Sequence, residues 1–352
     1  MKRWMVAGVG LLLMLLSGCR TKQTVSDQVV VTGIGIDRRE GRYVLSIQAV
    51  EALRTSGSLS EQSETATAVY TAEGASVAEA LQAFLNETGK STYILQNQII
   101  VISLAQCREE SLFTTLDYFV RNQEGRALVD LVVCHGDPSA LLDIDTGNDA
   151  IPAEYVSQLL AEGRRWGRCV QARLLDAERA FGGMYDLAVP ILEMRETAPA
   201  LAGTALFRDG RLTGEITETQ TTGLLIAANE TAQCLYTIDG NAVQCEDIRT
   251  TITIVPRGAV WEYRLAVKAT AKAVEGGEFS PAALEERLKG DVLHAMTAVV
   301  TEQNADPLGL ARRTAAQYRS DGVTQHSVRN VLSQSRFTVT AEITARRRGF
   351  LQ

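Results

Sequence analysis

From about residue 28 onward, two apolar periods alternate. Runs of period two suit strands with one buried face, and stripes of period 3.6 suit helices packed on those strands. The first run, Val29-Val30-Val31-Thr32-Gly33-Ile34-Gly35-Ile36, leads into a turn at 38–41. Tyr43, Leu45, Ile47 and Ala49 then recur at every second position, so a hairpin opens the fold. Residues 53–68 are rich in Ser, Thr, Glu and Gln and carry no period, which marks a surface excursion before a short strand at 69–72. Ser76 and Glu79 have capping-box spacing, Val77, Ala80, Leu81, Phe84 and Leu85 form a stripe, and Gly89 follows. This pattern predicts a helix over 76–89. A strand over 94–104, a helix over 109–121 and a strand over 127–134 come next. Asp137-Pro138 opens a short helix to Leu142, and Pro152 opens another to Leu160. Residues 169–175 read as strand or helix, and 186–194 as a strand bearing Pro190 at an edge or bulge.

The periodicity stops at Thr197-Ala198-Pro199-Ala200, which reads as a joint between domains, and resumes as a hairpin. In that hairpin the turn Asp209-Gly210 sets Phe207 opposite Leu212. Strands then dominate through 250–254 and 261–274. Ser280-Pro281 opens a long helix with Leu284, Leu288, Val292, Met296 and Val299 on one face. A shorter helical piece covers 308–318, and Phe337, Val339, Ala341, Ile343 and Ala345 alternate in a last strand. The expected class is α+β, with mixed β-sheets covered by helices. An N-terminal α+β region over 28–196 reads as one unit, and a C-terminal α+β domain covers 200–352. A chain of 352 residues with 45% hydrophobic and 22% charged residues has the apolar content to build two or three such cores.

A leader precedes the fold. Lys2 and Arg3 are followed by an apolar run from Val6 to Leu16 and then by Leu16-Ser17-Gly18-Cys19. The run is shorter than the roughly 20 residues a membrane span needs. Small Ser17 and Gly18 ahead of a cysteine fit a lipoprotein signal. Residues 1–18 are therefore expected to be removed between Gly18 and Cys19. Cys19 would carry thioether-linked diacylglycerol with an acyl chain such as palmitate, and 19–27 would form a lipidated spacer on the outer face of a bacterial membrane. A net charge of −7 argues against nucleic acid as a partner, because no global basic field is present to neutralise phosphates.

Five cysteines follow Cys19, an odd number that cannot all pair within one exported chain. Cys234 and Cys245 flank the hairpin turn Asp239-Gly240 and face one another in that register, so a disulfide is geometrically open to them. Cys107 and Cys134 lie in or beside apolar runs and read as buried thiols. Signs of catalysis are sparse. His135, His294 and His326 lack a second ligand at metal spacing, and no nucleophile elbow or phosphate loop is present. Gly33-Ile34-Gly35 lacks the third glycine of a dinucleotide loop and instead marks a bulge or a close backbone approach. In Asp143-Ile144-Asp145-Thr146-Gly147-Asn148-Asp149 the glycine stands one position early for a calcium loop and the closing glutamate is absent, so a solvated turn is expected. Arg346-Arg347-Arg348 is either a solvated end or a contact for anionic headgroups. The expected protein is noncatalytic, with no metal and no cofactor beyond the lipid on Cys19.

Several segments in order resemble the Ger(x)C spore germination lipoproteins, over nearly the whole chain. The lipobox at Cys19, the strand Val30-Val31-Thr32-Gly33-Ile34-Gly35-Ile36-Asp37 and the strand Ile94-Leu95-Gln96-Asn97-Gln98-Ile99-Ile100-Val101-Ile102 are similar to that family. So is Leu116-Asp117-Tyr118-Phe119-Val120-Arg121-Asn122 with Arg126, although Asn122-Gln123 replaces an acidic-proline pair. The most specific marks are Leu201-Ala202-Gly203-Thr204-Ala205-Leu206-Phe207 with Arg211-Leu212-Thr213-Gly214, then Asp306-Pro307-Leu308-Gly309 and Arg346-Arg347-Arg348-Gly349. Arg20-Thr21 departs from the family's Trp and acidic residue, a difference that bears on membrane-proximal contacts. The resemblance implies a three-domain α+β arrangement and a C subunit of a nutrient germinant receptor in the spore inner membrane, partnered by A-type and B-type integral membrane subunits. The other reading left open is a lipid-anchored extracytoplasmic protein that binds a solute or a cell-wall fragment.

Overall fold

A computed structural model describes residues 28–52, 65–122, 127–147 and 150–346. Gly18, Cys19, Arg126 and the end Arg347-Arg348-Gly349 lie outside the described residues, as do Asn148 and Asp149.

The first sheet has nine strands. Its order is β3 (Thr65–Gly74), β2 (Arg42–Ala52), β1 (Gln28–Arg39), β5 (Ile99–Ser103), β6 (Asp130–Cys134), β7 (Leu187–Arg195), β8 (Ala198–Arg208) and β9 (Arg211–Ile216), with β4 (Ser91–Tyr93) also on β1. The centre, β1-β5-β6-β7, is parallel and the flanks are antiparallel hairpins. A parallel centre must be covered on both faces, and β5 and β6 are accordingly buried at every position rather than at alternate ones. One face carries α1 (Val77–Thr88), α2 (Leu104–Glu109), α3 (Leu112–Arg121) and α6 (Leu174–Phe181), through Phe84, Leu104, Leu116 and Ala177 among others. The opposite face carries α4 (Ser139–Leu142) and α5 (Pro152–Arg165), through Leu142, Val156 and Leu160.

Gly33 and Gly35 are what bring α4 and α5 so close. A Cβ on Gly33 would stand 2.6 Å from Leu142 Cδ2, and one on Gly35 would stand 2.8 Å from Pro138 Cβ. Beside them the fully buried Gln48 accepts from Thr32 Oγ1 at 2.9 Å and from the Ala153 amide at 3.1 Å, and donates to the Leu142 carbonyl. Both readings of the glycine pair hold, since β1 is also bulged between Val31 and Gly33.

One local expectation is corrected on this sheet. The strand expected over 94–104 is broken, because Ile94–Gln96 is a 3-10 turn between β4 and β5. Val30 pairs with Tyr93 but Gly33 pairs with Ile99, so three extra residues must be taken up opposite the β1 bulge. The joint expected at 197–200 is a two-residue hairpin turn with Glu196 in the left-handed region, and β7 pairs with β8 directly from Arg195 and Ala198. The first sheet therefore continues to Ile216, and the change of sheet comes after it. Pro190 sits one residue ahead of the short β6–β7 pairing, next to the bulge at Ile191/Leu192, so its missing N–H breaks no bond to β6.

The second sheet is β10 (Gln233–Ile238), β11 (Asn241–Arg257), β12 (Val260–Glu275) and β13 (Arg336–Ala345), with β13 parallel to β12. One face packs on α7 (Glu218–Ala228) and α8 (Pro281–Met296), around Leu224, Ile226, Leu265, Leu284, Leu288 and Val292. The α8 stripe read from sequence is fully buried as far as Val299. The helix α7 falls in a stretch read as strand-dominated. It is apolar around most of its circumference, with Thr221 and Gly223 to Ala227 all buried, so it shows no helical stripe. Among the described residues no helix is long and apolar enough to cross a membrane.

Candidate functional site

The two sheets meet where β7 begins and where the chain leaves α8. Asp306 is 2% exposed and its carboxylate accepts from Leu310 N at 2.6 Å and Ala311 N at 2.9 Å. These are the free amides at the start of α9 (Leu310–Gln317). Gly309, at φ 65°, supplies the left-handed turn that aims them back at Asp306. The Asp306-Pro307-Leu308-Gly309 mark is thus a helix cap. It is also a latch. Asp306 N donates to Asp186 Oδ2 at 2.7 Å, and Asp186 N donates to the Asp306 carbonyl at 3.2 Å. Arg329, on α10 (Gln325–Val331), hydrogen-bonds Asp186 and approaches Asp306 Oδ2 at 3.7 Å. Gln325 Nε2 adds a bond to the Gly183 carbonyl at 3.1 Å.

Two buried carboxylates thus share one guanidinium. Burial pushes the Asp306 carboxyl up to about 6; the helix amides and Arg329 pull the other way, and the Asp186 charge adds to the rise. Burial likewise raises Asp186, against the pull of Arg329.

Beside the latch lies a cleft of about 820 Å³ with walls from both sheets. Its lining is part aliphatic, including Leu187, Ala188, Leu224, Leu225 and Leu308, and its rim carries Arg164, Arg165, Arg179, Arg312 and Arg313 with Asp176, Asp186 and Glu230. A second groove, on the first sheet, centres on Arg38 over the Tyr43 ring at 5.4 Å, with Glu110 bonded to the Tyr43 hydroxyl and 3.4 Å from Arg38. Burial and the Glu110 carboxylate push the Tyr43 hydroxyl up to about 12.

Cys234 and Cys245 are directly opposite in the β10–β11 register, as the Asp239-Gly240 turn requires, and both are buried free thiols. Cys107, Cys134 and Cys169 are free and buried as well. Burial pushes Cys107 and Cys169 up to about 12, far from the thiolate that would be a nucleophile. The three histidines stand apart. His135 is 3.4 Å from Glu215, His294 neighbours Gln220 and His326 neighbours Asn330. Among the described residues no three metal-type ligands converge. Arg346 is paired with Asp247 at 3.1 Å. Sequence reasoning flagged Asp306 but passed over Asp186 and Arg329. The one signal for Asp186 was a lone carboxylate directly before a strand that reads as buried.

Two successive family models cover this chain. "Spore germination protein N-terminal domain" matches residues 21–194, and "Spore germination B3/GerAC like, C-terminal" matches 202–349. The gap between them brackets the Glu196 turn, where the sheet itself does not break. A two-sheet α+β chain matched in both halves in this way is a spore germination protein. The chain belongs to the Ger(x)C family. It is similar to spore germination protein KC of Bacillus subtilis (strain 168), at 26% identity over 60% of this chain and 50% of that one, so the match spans half of that relative's length. It is also similar to the putative spore germination protein YfkR of the same strain, at 20% identity over 86% of this chain and 85% of the relative. In fold it is similar to the crystal structure of the GerBC protein, with a TM-score of 0.58 and 16% identity over 90% of this chain and 97% of that one.

Proposed function

We propose that this chain is the noncatalytic C-type subunit of a nutrient germinant receptor, tethered by lipid on Cys19 to the outer face of the spore inner membrane. There it assembles with an A-type and a B-type integral membrane subunit to trigger germination. The observation that carries the reading is the match of the two family models in succession, over residues 21–194 and 202–349. The leader with Leu16-Ser17-Gly18-Cys19 supports the tether. A lipid anchor holds the chain at the membrane, so its contacts with partners become effectively intramolecular and need not be tight one by one.

The test is recovery of partners from mildly detergent-solubilised spore inner membrane, comparing wild type with Cys19→Ala. Two integral membrane proteins should copurify with wild type, and membrane retention should fall in the variant. A wild-type chain that stays on the membrane and recovers neither partner would sink the subunit reading.

A further inference from the structure

The cleft between the sheets has a composition that neither the latch nor the subunit reading explains. Arginines face one another from the two sides: Arg164, Arg165 and Arg179 from α5 and α6, and Arg312 and Arg313 from α9. The first three are weakly paired, at 3.5 Å to Asp130, 3.7 Å to Glu162 and 3.6 Å to Asp176. Both α9 arginines are exposed. Among the described residues the Arg312 side chain makes no hydrogen bond or ion pair, and Arg313 has Glu230 as an electrostatic neighbour.

Of the three carboxylates on the rim, Asp186 is taken by Arg329, which lies outside the cleft, and Asp176 is engaged by the α6 amide of Arg173 at 3.0 Å as well as by Arg179. Of these carboxylates Glu230 is left beside Arg313. Like charges on facing walls repel across an open cleft unless an anion stands between them, and guanidinium forks match carboxylate and phosphate oxygens. Between the walls the lining is part polar and part aliphatic, the aliphatic part including Ala188, Ala228 and the edge of Leu308. A bare inorganic anion would leave the aliphatic part unused, whereas a ligand with an apolar body would cover it.

We propose that this cleft binds an organic anion that sets an apolar body on the aliphatic part of the lining and carboxylate or phosphate groups against Arg312 and Arg313. The bound molecule would touch elements packed on both sheets at once. The proposal goes beyond the subunit reading and does not depend on it.

The experiment is calorimetric titration of the full chain in detergent with isophthalate, an aromatic dicarboxylate, and with inorganic phosphate as the anion without a body. Saturable isophthalate binding is expected at one site, weaker at high salt. It should fall at least tenfold, about 1.4 kcal/mol, in the double variant Arg312→Gln, Arg313→Gln. These exposed side chains can change without loss of fold, which circular dichroism would check. Arg121→Gln, whose arginine pairs with Asp117 within α3 and does not line the cleft, should bind as wild type does. Absence of saturable binding, or equal binding by the folded double variant, would overturn the site. Phosphate binding as tightly as isophthalate would overturn the assigned class of ligand.

Discussion

Asp306 concentrates the residue-scale physics of this protein. Its carboxylate caps α9, its amide reaches Asp186, and burial holds its pKa near 6. A carboxyl raised in the folded state contributes stability that is full below its ordinary pKa, near 4, and is lost as pH rises through about 6. The loss is on the order of 3 kcal/mol, with Asp186 shifted in the same direction, Arg329 opposing both shifts and Arg208 opposing that of Asp186. Urea unfolding followed from pH 4 to 7 should therefore show a downward contribution that is shallower in Asp306→Asn. Identical slopes in the two proteins would mean that Asp306 titrates normally. The Asp-Pro-Leu-Gly run announced a turn into a helix, but the destination of its carboxylate was hidden. Asp186 is 120 residues away in sequence, and no local pattern encodes the desolvation that the two acids share.

Among the elements, α7 and α8 show how packing overrides local signal. Gly223 on α7 lets the two helix backbones approach, since a Cβ there would lie 2.4 Å from the Asp291 carbonyl oxygen. Gly290 on α8 has open space around its would-be Cβ. The same substitution should therefore have opposite signs. Gly290→Ala should raise the unfolding free energy by about 0.5–1 kcal/mol through helix propensity. Gly223→Ala should lower it by roughly 1–3 kcal/mol, because backbone atoms must move. Thermal or urea denaturation of the two variants checks the pair, and matching signs would contradict the geometry. The cap of α7 was readable in Thr217 and Gln220, which form a reciprocal capping box. The apolar residues all round the helix masked it, because a helix buried on most sides has no polar face to mark its period. By contrast α1 and α8, each with one wet face, were legible from Ser76 and Ser280 onward.

At the scale of the whole molecule, the two sheets are joined by a buried ionic latch, by apolar packing that includes Leu206 and Ile216 against the core of the second sheet, and by the continuous chain. Removing the shared guanidinium by Arg329→Met leaves two buried carboxylates unpaired and should cost about 3–5 kcal/mol. Trp166 ends α5 under the first sheet and Trp261 begins β12 in the second, so versions retaining one or the other report the two regions separately. Their urea transitions should coincide in the native sequence and separate once Arg329→Met is introduced. Coincidence in the variant would mean that the apolar contacts alone couple the sheets. Taken by itself, the sequence determined the α+β class, the hairpin registers at Phe207/Leu212 and Cys234/Cys245, the helices with one wet face and the Ger(x)C resemblance. The class, the registers and the helices rest on short-range periodicity and turn chemistry, and the resemblance rests on motif segments in a matching order. Only the tertiary structure decided that the first sheet runs through residue 197 to Ile216, that Asp186, Asp306 and Arg329 converge, and that arginines from α5, α6 and α9 line one cleft. Those features depend on contacts between distant segments, whose burial and charge no local pattern carries.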